Sequence, residues 1–73
     1  MHSNAVKIEG TVVEAFPNHT FRVELSNGHR LLAFVPRRWR AGAAHLAAGN
    51  TVTVEVSPGD FSIGRLCVNQ NVN

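Results

Sequence analysis

The stretch from Thr20 to His29, Thr-Phe-Arg-Val-Glu-Leu-Ser-Asn-Gly-His, constrains this chain more than any other. Phe21, Val23 and Leu25 alternate strictly with Thr20, Arg22 and Glu24, the two-residue period of a strand with one buried face. Asn27-Gly28 follows at once and signals a hairpin; it predicts a type I′ turn, with positive φ at both central residues. His29 to Val35 resumes as the partner strand, with Leu31, Ala33 and Val35 inward and Leu32 and Phe34 outward. Upstream, Pro17-Asn18 interrupts the chain between Val12-Val13 and Phe21, so a first strand from Val6 to Phe16 completes a three-stranded meander.

Within that first strand Val6, Ile8 and Val12 share a face, and Gly10 predicts a bulge or sharp bend. Such a bend lets one long strand serve both halves of a small barrel. Pro36 ends the third strand, and Arg37 to Leu46 is rich in Ala and Arg, a short helix or helical loop too brief to hold alone in water. Ala48-Gly49-Asn50 turns into a fourth strand, Thr51 to Val56, with Val52, Val54 and Val56 inward. Ser57-Pro58-Gly59-Asp60 reads as a turn and Phe61 to Gly64 as a loop before a last strand from Arg65 to about Asn69. The expected layout is one domain over 6–69, disorder over 1–5 and a frayed 70–73. The class is all-β: five strands with a helical insert between the third and fourth. An open meander, an SH3-like barrel and an oligonucleotide/oligosaccharide-binding (OB) barrel all satisfy this periodicity.

With 73 residues there is room for one domain only, and a chain of this size buries only about 60% of its unfolded surface. Closing the sheet removes unpaired edges and makes good use of few residues. Cys67 is the single cysteine, which excludes an internal disulfide and a cysteine zinc cluster. His2, His19, His29 and His45 lie apart, without carboxylate or thiolate partners at ligand spacing, so no metal site is expected. No Ser-His-Asp or Cys-His pattern and no phosphate-cradling glycine loop is present, so neither catalysis nor a cofactor is expected. No apolar run approaches the ~20 residues that span a bilayer, and Met1-His2-Ser3-Asn4 lacks the order of a signal peptide. The expectation is a cytoplasmic monomer with no membrane partner.

Net charge is only +2, but four of the seven basic residues lie between Arg30 and Arg40 with no acid among them. A basic patch on a small β domain points to a polyanion, above all nucleic acid. Arg37-Arg38-Trp39-Arg40 is its centre: guanidiniums neutralise phosphates, and an indole stacks on an unpaired base. Trp39 has a second reading, as a lid folded back on the barrel. Outward Phe34 is a stacking candidate on the face where OB barrels take oligonucleotides, or else it packs beneath the insert. Arg22, Arg30 and Arg65 complete the candidates, each a phosphate contact or an ordinary surface charge.

The run Glu9-Gly10-Thr11-Val12-Val13-Glu14-Ala15-Phe16-Pro17-Asn18-His19-Thr20-Phe21-Arg22-Val23-Glu24-Leu25-Ser26-Asn27-Gly28-His29 resembles the signature of bacterial translation initiation factor one. Thr51 to Pro58 and Gly64-Arg65 match its later segments in order, and the resemblance covers roughly residues 6 to 66. It implies an OB barrel and a non-enzymatic factor that binds ribosomal RNA at the decoding (A) site of the small ribosomal subunit. There the loop and short helix would contact RNA around two flipped adenines, block premature tRNA entry and support the other initiation factors. Arg40 falls on a family arginine, Arg38 on a lysine, Phe34 on a histidine, and His29 and Gly64-Arg65 match. The chain departs from the family at Ala41-Gly42-Ala43-Ala44-His45, where Lys, Asn, Tyr and Arg are usual. It also departs at Ile63, a family lysine, and at the tail Asn69 to Asn73, usually basic. Two alternatives accompany this reading: a diverged paralogue acting as a general RNA binder or chaperone, and a barrel reused for protein contact through Phe34, Trp39 and Phe61.

Overall fold

A computed structural model describes residues 5–67. The strands are β1 (Val6–Phe16), β2 (Thr20–Leu25), β3 (Arg30–Phe34), β4 (Thr51–Ser57) and β5 (Asp60–Cys67). A 3₁₀ turn (Arg37–Trp39) and the one-turn helix α1 (Arg40–Ala43) lie between β3 and β4. The sheet closes in the order β1-β2-β3-β5-β4, antiparallel at every seam except the parallel β3–β5 pair. That is the five-stranded OB barrel, with the short helical insert where the sequence placed it.

The core follows the alternation. Phe21, Val23 and Leu25 of β2, Leu31 and Ala33 of β3, and Val52, Val54 and Val56 of β4 are all buried, with Val12 and Leu66 between them. Leu32 and Phe34 face outward as expected. One strand, β1, serves both halves: Gly10 pairs with Leu25 on β2 and with Val52 on β4. The expected bulge lies further along, between Val12 and Glu14, where Val13 is extra against β2. Gly10 has a different task, close approach. A Cβ there would sit 2.5 Å from Val23 Cγ1 and 3.0 Å from the Glu24 carbonyl oxygen.

Two expectations are corrected. The β2–β3 turn is not type I′, because Gly28 has φ +89° while Asn27 is not left-handed. The loop holds three residues, Ser26 to Gly28: Leu25 N–H donates to the His29 carbonyl at 2.7 Å and Gly28 N–H to the Leu25 carbonyl at 2.9 Å. One left-handed residue after a tight turn suffices for that length. Asn27 contributes its side chain instead, Oδ1 accepting the His29 N–H at 2.9 Å. The β1–β2 loop repeats the device with His19 at φ 57°. Here the His19 carbonyl takes the Val35 N–H at 3.0 Å, one residue past the end of β3.

The second correction is Phe61 to Gly64, which belongs to β5 and not to a loop: Ser57 pairs with Asp60, Val56 with Gly64 and Leu32 with Ile63. The expected disorder over 1–5, Ala5 excepted, lies outside the described residues, as do the fraying over 70–73, the domain limit at 69 and the end of the last strand.

Gly10→Ala is expected to lower stability by about 1–3 kcal/mol, because a methyl group must displace Val23 or backbone. An unchanged denaturation midpoint would contradict that close approach. Gly28→Val is expected to cost more than ~1 kcal/mol while Gly28→Asn costs less, since a Cβ at Gly28 meets nothing within 4 Å and only the backbone resists it. Equal melting curves for the two variants would count against this turn geometry.

Candidate nucleic-acid interface

The insert is two-faced. Trp39, Ala43 and Leu46 stand at i, i+4 and i+7, one stripe of a helix. Ala43 is buried, and Trp39 and Leu46 pack part-buried against the core. The stripe crosses from 3₁₀ to α geometry: Trp39 N–H donates to the Pro36 carbonyl at 2.9 Å, and the Arg40 amide to the Arg37 carbonyl. The spacing was present in the sequence, but a wide Ala content hid it as mere helix tolerance. Trp39, part-buried, keeps some of its surface in solvent, so both readings of it stand. The Arg38 guanidinium lies 5.5 Å over its ring.

The same winding turns Arg37, Arg38 and Arg40 outward, all three exposed. Arg40 Nε donates to the Val35 carbonyl at 3.3 Å, which ties its side chain to the end of β3. Among the described residues none of the three has a carboxylate ion-pair partner, and no acid occurs between Glu24 and Glu55.

The barrel face is different. Arg22, Arg30 and Arg65 lie on the outer surface, and each has a glutamate beside it: Arg22–Glu14 at 3.6 Å, Arg30–Glu24 at 3.5 Å and Arg65–Glu55 at 3.9 Å. In every case the two residues are directly paired across neighbouring strands, so the barrel register itself sets the match. Such exposed pairs contribute only about 0.2–1 kcal/mol each. Their larger consequence is for ligands, because a phosphate approaching any of these arginines also approaches a carboxylate. Phe34 is 45% exposed on this face, opposite Arg65 on β5. Arg22 also lies 5.3 Å from the Phe16 ring centroid.

The remaining polar groups serve the loops. His29 Nε2 is 2.8 Å from the Phe61 carbonyl oxygen and donates to it, linking the β2–β3 loop to the start of β5. Asp60 accepts both the Oγ–H and N–H of Ser62, and those bonds hold its carboxyl below the usual range. Burial, and then the Glu55 charge, push the Cys67 thiol upward, away from the thiolate form of a reactive cysteine. Among the described residues no group of three or more His, Cys, Asp or Glu is placed to hold a metal ion, and no helix is long and apolar enough to cross a membrane.

No protein-family model matches the sequence. A solved structure does: the solution structure of translation initiation factor one from the Wolbachia endosymbiont strain TRS of Brugia malayi superposes with a TM-score of 0.70. The two sequences are 29% identical over 92% of this chain and 79% of that one. The chain is initiation factor one-like. The resemblance first visible in the Glu9–His29 run thus extends, in three dimensions, over 92% of the chain. Within this initiation factor one-like barrel the eight candidate residues fall into two groups. Arg37, Arg38, Trp39 and Arg40 are gathered on the insert, whereas Arg22, Arg30, Phe34 and Arg65 are spread across the face of β2, β3 and β5.

The two groups differ in what they give to the fold. Trp39→Ala is expected to destabilise the barrel by about 1–3 kcal/mol, less than a fully buried tryptophan would. Arg37→Ala and Arg38→Ala should shift stability by no more than ~0.5 kcal/mol. Thermal melts of the three variants check this, and a Trp39→Ala curve matching the parent would show that the ring does not cap the core.

Proposed function

We propose that this chain acts in translation initiation as a non-catalytic, initiation factor one-like RNA-binding protein, gripping ribosomal RNA at the decoding site of the small ribosomal subunit. The observation that carries the reading is the division of charge. Arg37, Arg38 and Arg40 stand on one exposed ridge without carboxylates, while the barrel-face arginines are each balanced by a glutamate. The ridge is therefore the part of the surface from which a polyanion gains most. Likeness to a translation initiation factor over nearly the whole chain supports the same reading and supplies the ribosome as the setting. Other initiation factors on the same subunit are the further partners it implies.

Binding on this reading is electrostatic and adjustable. Arg37, Arg38 and Arg40 present planar donors suited to phosphate oxygens, and Arg40 is pre-oriented by its bond to the Val35 carbonyl. Trp39 is part-buried against the core beneath the ridge, and what remains of its surface is available to an unpaired base. The run Ala41 to Ala44 and the exposed Ile63 add no charge, so the grip rests on few cations. That economy gives the general RNA binder a specific argument as the second reading, since fewer fixed contacts demand less of the RNA.

The experiment is salt-titrated co-sedimentation with purified small ribosomal subunits, paired with binding to an unrelated structured RNA. Each contact to phosphate should contribute about 0.7 to 0.9 to the slope of log affinity against log salt. Arg37→Ala, Arg38→Ala and Arg40→Ala should each weaken binding and lower the slope by about one unit. Normal binding by the triple variant would overturn the ridge as the grip, and equal affinity for the unrelated RNA would favour the general RNA binder.

A further inference from the structure

The loop at Asn27-Gly28 serves neither the core nor the ridge. Both residues are exposed at the tip of the β2–β3 hairpin, and theirs is the one Asn-Gly step in the sequence. Asn27 Oδ1 accepts the His29 N–H at 2.9 Å, which curls the side chain back over the peptide that follows it. The ring closed by that bond contains Cγ, Cβ, Cα and C of Asn27 and N of Gly28, the five atoms of a succinimide. Attack by the Gly28 nitrogen on Cγ is thus pre-arranged, with the His29 N–H on the oxygen where negative charge develops. Gly28 has no side chain to shield its nitrogen, and a Cβ there would meet nothing within 4 Å, so the approach is open. One bond opposes the reaction: Gly28 N–H donates to the Leu25 carbonyl at 2.9 Å and must let go before its proton can leave. At an exposed loop tip that opening costs little. The other described asparagines lack this arrangement. Asn18 precedes His19, and Asn50 precedes β-branched Thr51, with its Oδ1 turned back to accept the Ala47 N–H at 2.8 Å.

We propose that Asn27 is a self-modifying site, which the folded chain converts to aspartate and isoaspartate through a cyclic imide. Hydroxide takes the Gly28 amide proton, and the Gly28 nitrogen bonds to Asn27 Cγ. The Cγ–Nδ2 bond then breaks, and the side-chain nitrogen takes a proton from water and leaves as ammonia. Water opens the imide at either carbonyl. Opening at Cγ gives aspartate; opening at the main-chain carbonyl gives isoaspartate, whose backbone runs through the former side chain and is longer by one carbon. The loop has no slack for that carbon. Its length is fixed by the Leu25 N–H bond to the His29 carbonyl at 2.7 Å, and His29 Nε2 ties it to the Phe61 carbonyl at 2.8 Å. A longer path from Leu25 to His29 breaks this match, so isoaspartate, unlike aspartate, loosens the hold of the loop on the start of β5.

The test is incubation of the full, folded chain in mildly alkaline buffer, followed by tryptic mapping and mass spectrometry. The peptide from Val23 to Arg30 should gain the mass difference between an amide and an acid and separate into aspartyl and isoaspartyl forms. The peptides that carry Asn18 and Asn50 should stay as they are. Gly28→Asn should slow conversion by ~tenfold or more, because a Cβ then crowds the attacking nitrogen. Asn27→Gln, which cannot close a five-membered ring, serves as the second variant should Gly28→Asn fail to fold. An unchanged Val23–Arg30 peptide in the folded chain would overturn the proposal. Conversion confined to a chain incubated in urea would overturn it too, and would make the Gly28–Leu25 bond a protecting one. So would equal conversion at Asn18 or Asn50. The isoaspartyl chain, isolated by chromatography, should melt below the Asn27→Asp variant, and matching curves would overturn the loosening of β5.

Discussion

Everything in this molecule depends on the short parallel pairing that closes the barrel, Leu32 with Ile63, Ala33 with Gly64 and Phe34 with Arg65. Without it, β3 and β5 would both be open edges, and the inward residues of β3 would lose half their cover. Closure at this seam needs the chain to come very near itself. A Cβ on Gly64 would lie 3.2 Å from the Glu55 carbonyl oxygen and from Val56 Cγ1, so glycine lets β5 fit between its neighbours. Topology then dictates the insert. Because β5 occupies the place beside β3, the chain leaving β3 must cross the end of the barrel to reach β4 on its far side. The crossing ends where Asn50 and Gly49 bond both backbone groups of Val12, just before the β1 bulge.

That crossing explains the position of the basic ridge. A segment that must cap an open barrel end needs an apolar stripe, supplied by Trp39, Ala43 and Leu46. The opposite side of so short a helical segment is then forced into solvent. Arginines on it are presented as a group, away from the strand ladders that bring glutamates beside Arg22, Arg30 and Arg65. One architectural necessity therefore yields two surfaces, a charge-balanced apolar face and an unbalanced cationic ridge. On the proposed reading the ridge is the part that meets RNA.

Most of the barrel was legible because its strands alternate. Phe21, Val23 and Leu25, and again Val52, Val54 and Val56, show period two plainly and are buried as that period requires. The start of β5 was illegible for the complementary reason. Its inward residue is Gly64 and its outward ones are Phe61 and Ile63, so the usual apolar-inside pattern is inverted there. The turn at Asn27-Gly28 was recognisable as a turn, but its type depends on whether Leu25 and His29 form the last pair, a matter of register and not of residue preference. At the candidate site, sequence brought Arg37, Arg38, Trp39 and Arg40 together by adjacency. It showed no sign that the other arginines have partners, because Glu14, Glu24 and Glu55 become neighbours only across strands.

The central claim is that charge balance, set by strand register, divides this surface into a ridge for polyanions and a face without affinity for them. An NMR titration of the isotopically labelled chain with a structured ribosomal RNA fragment tests it most directly, since backbone and indole resonances report each region separately. The account predicts that the largest shifts fall on Arg37 to Arg40, including the Trp39 indole N–H, while Arg22, Leu32, Phe34 and Arg65 move little. Shifts centred on those four barrel-face residues, with the ridge unchanged, would contradict it.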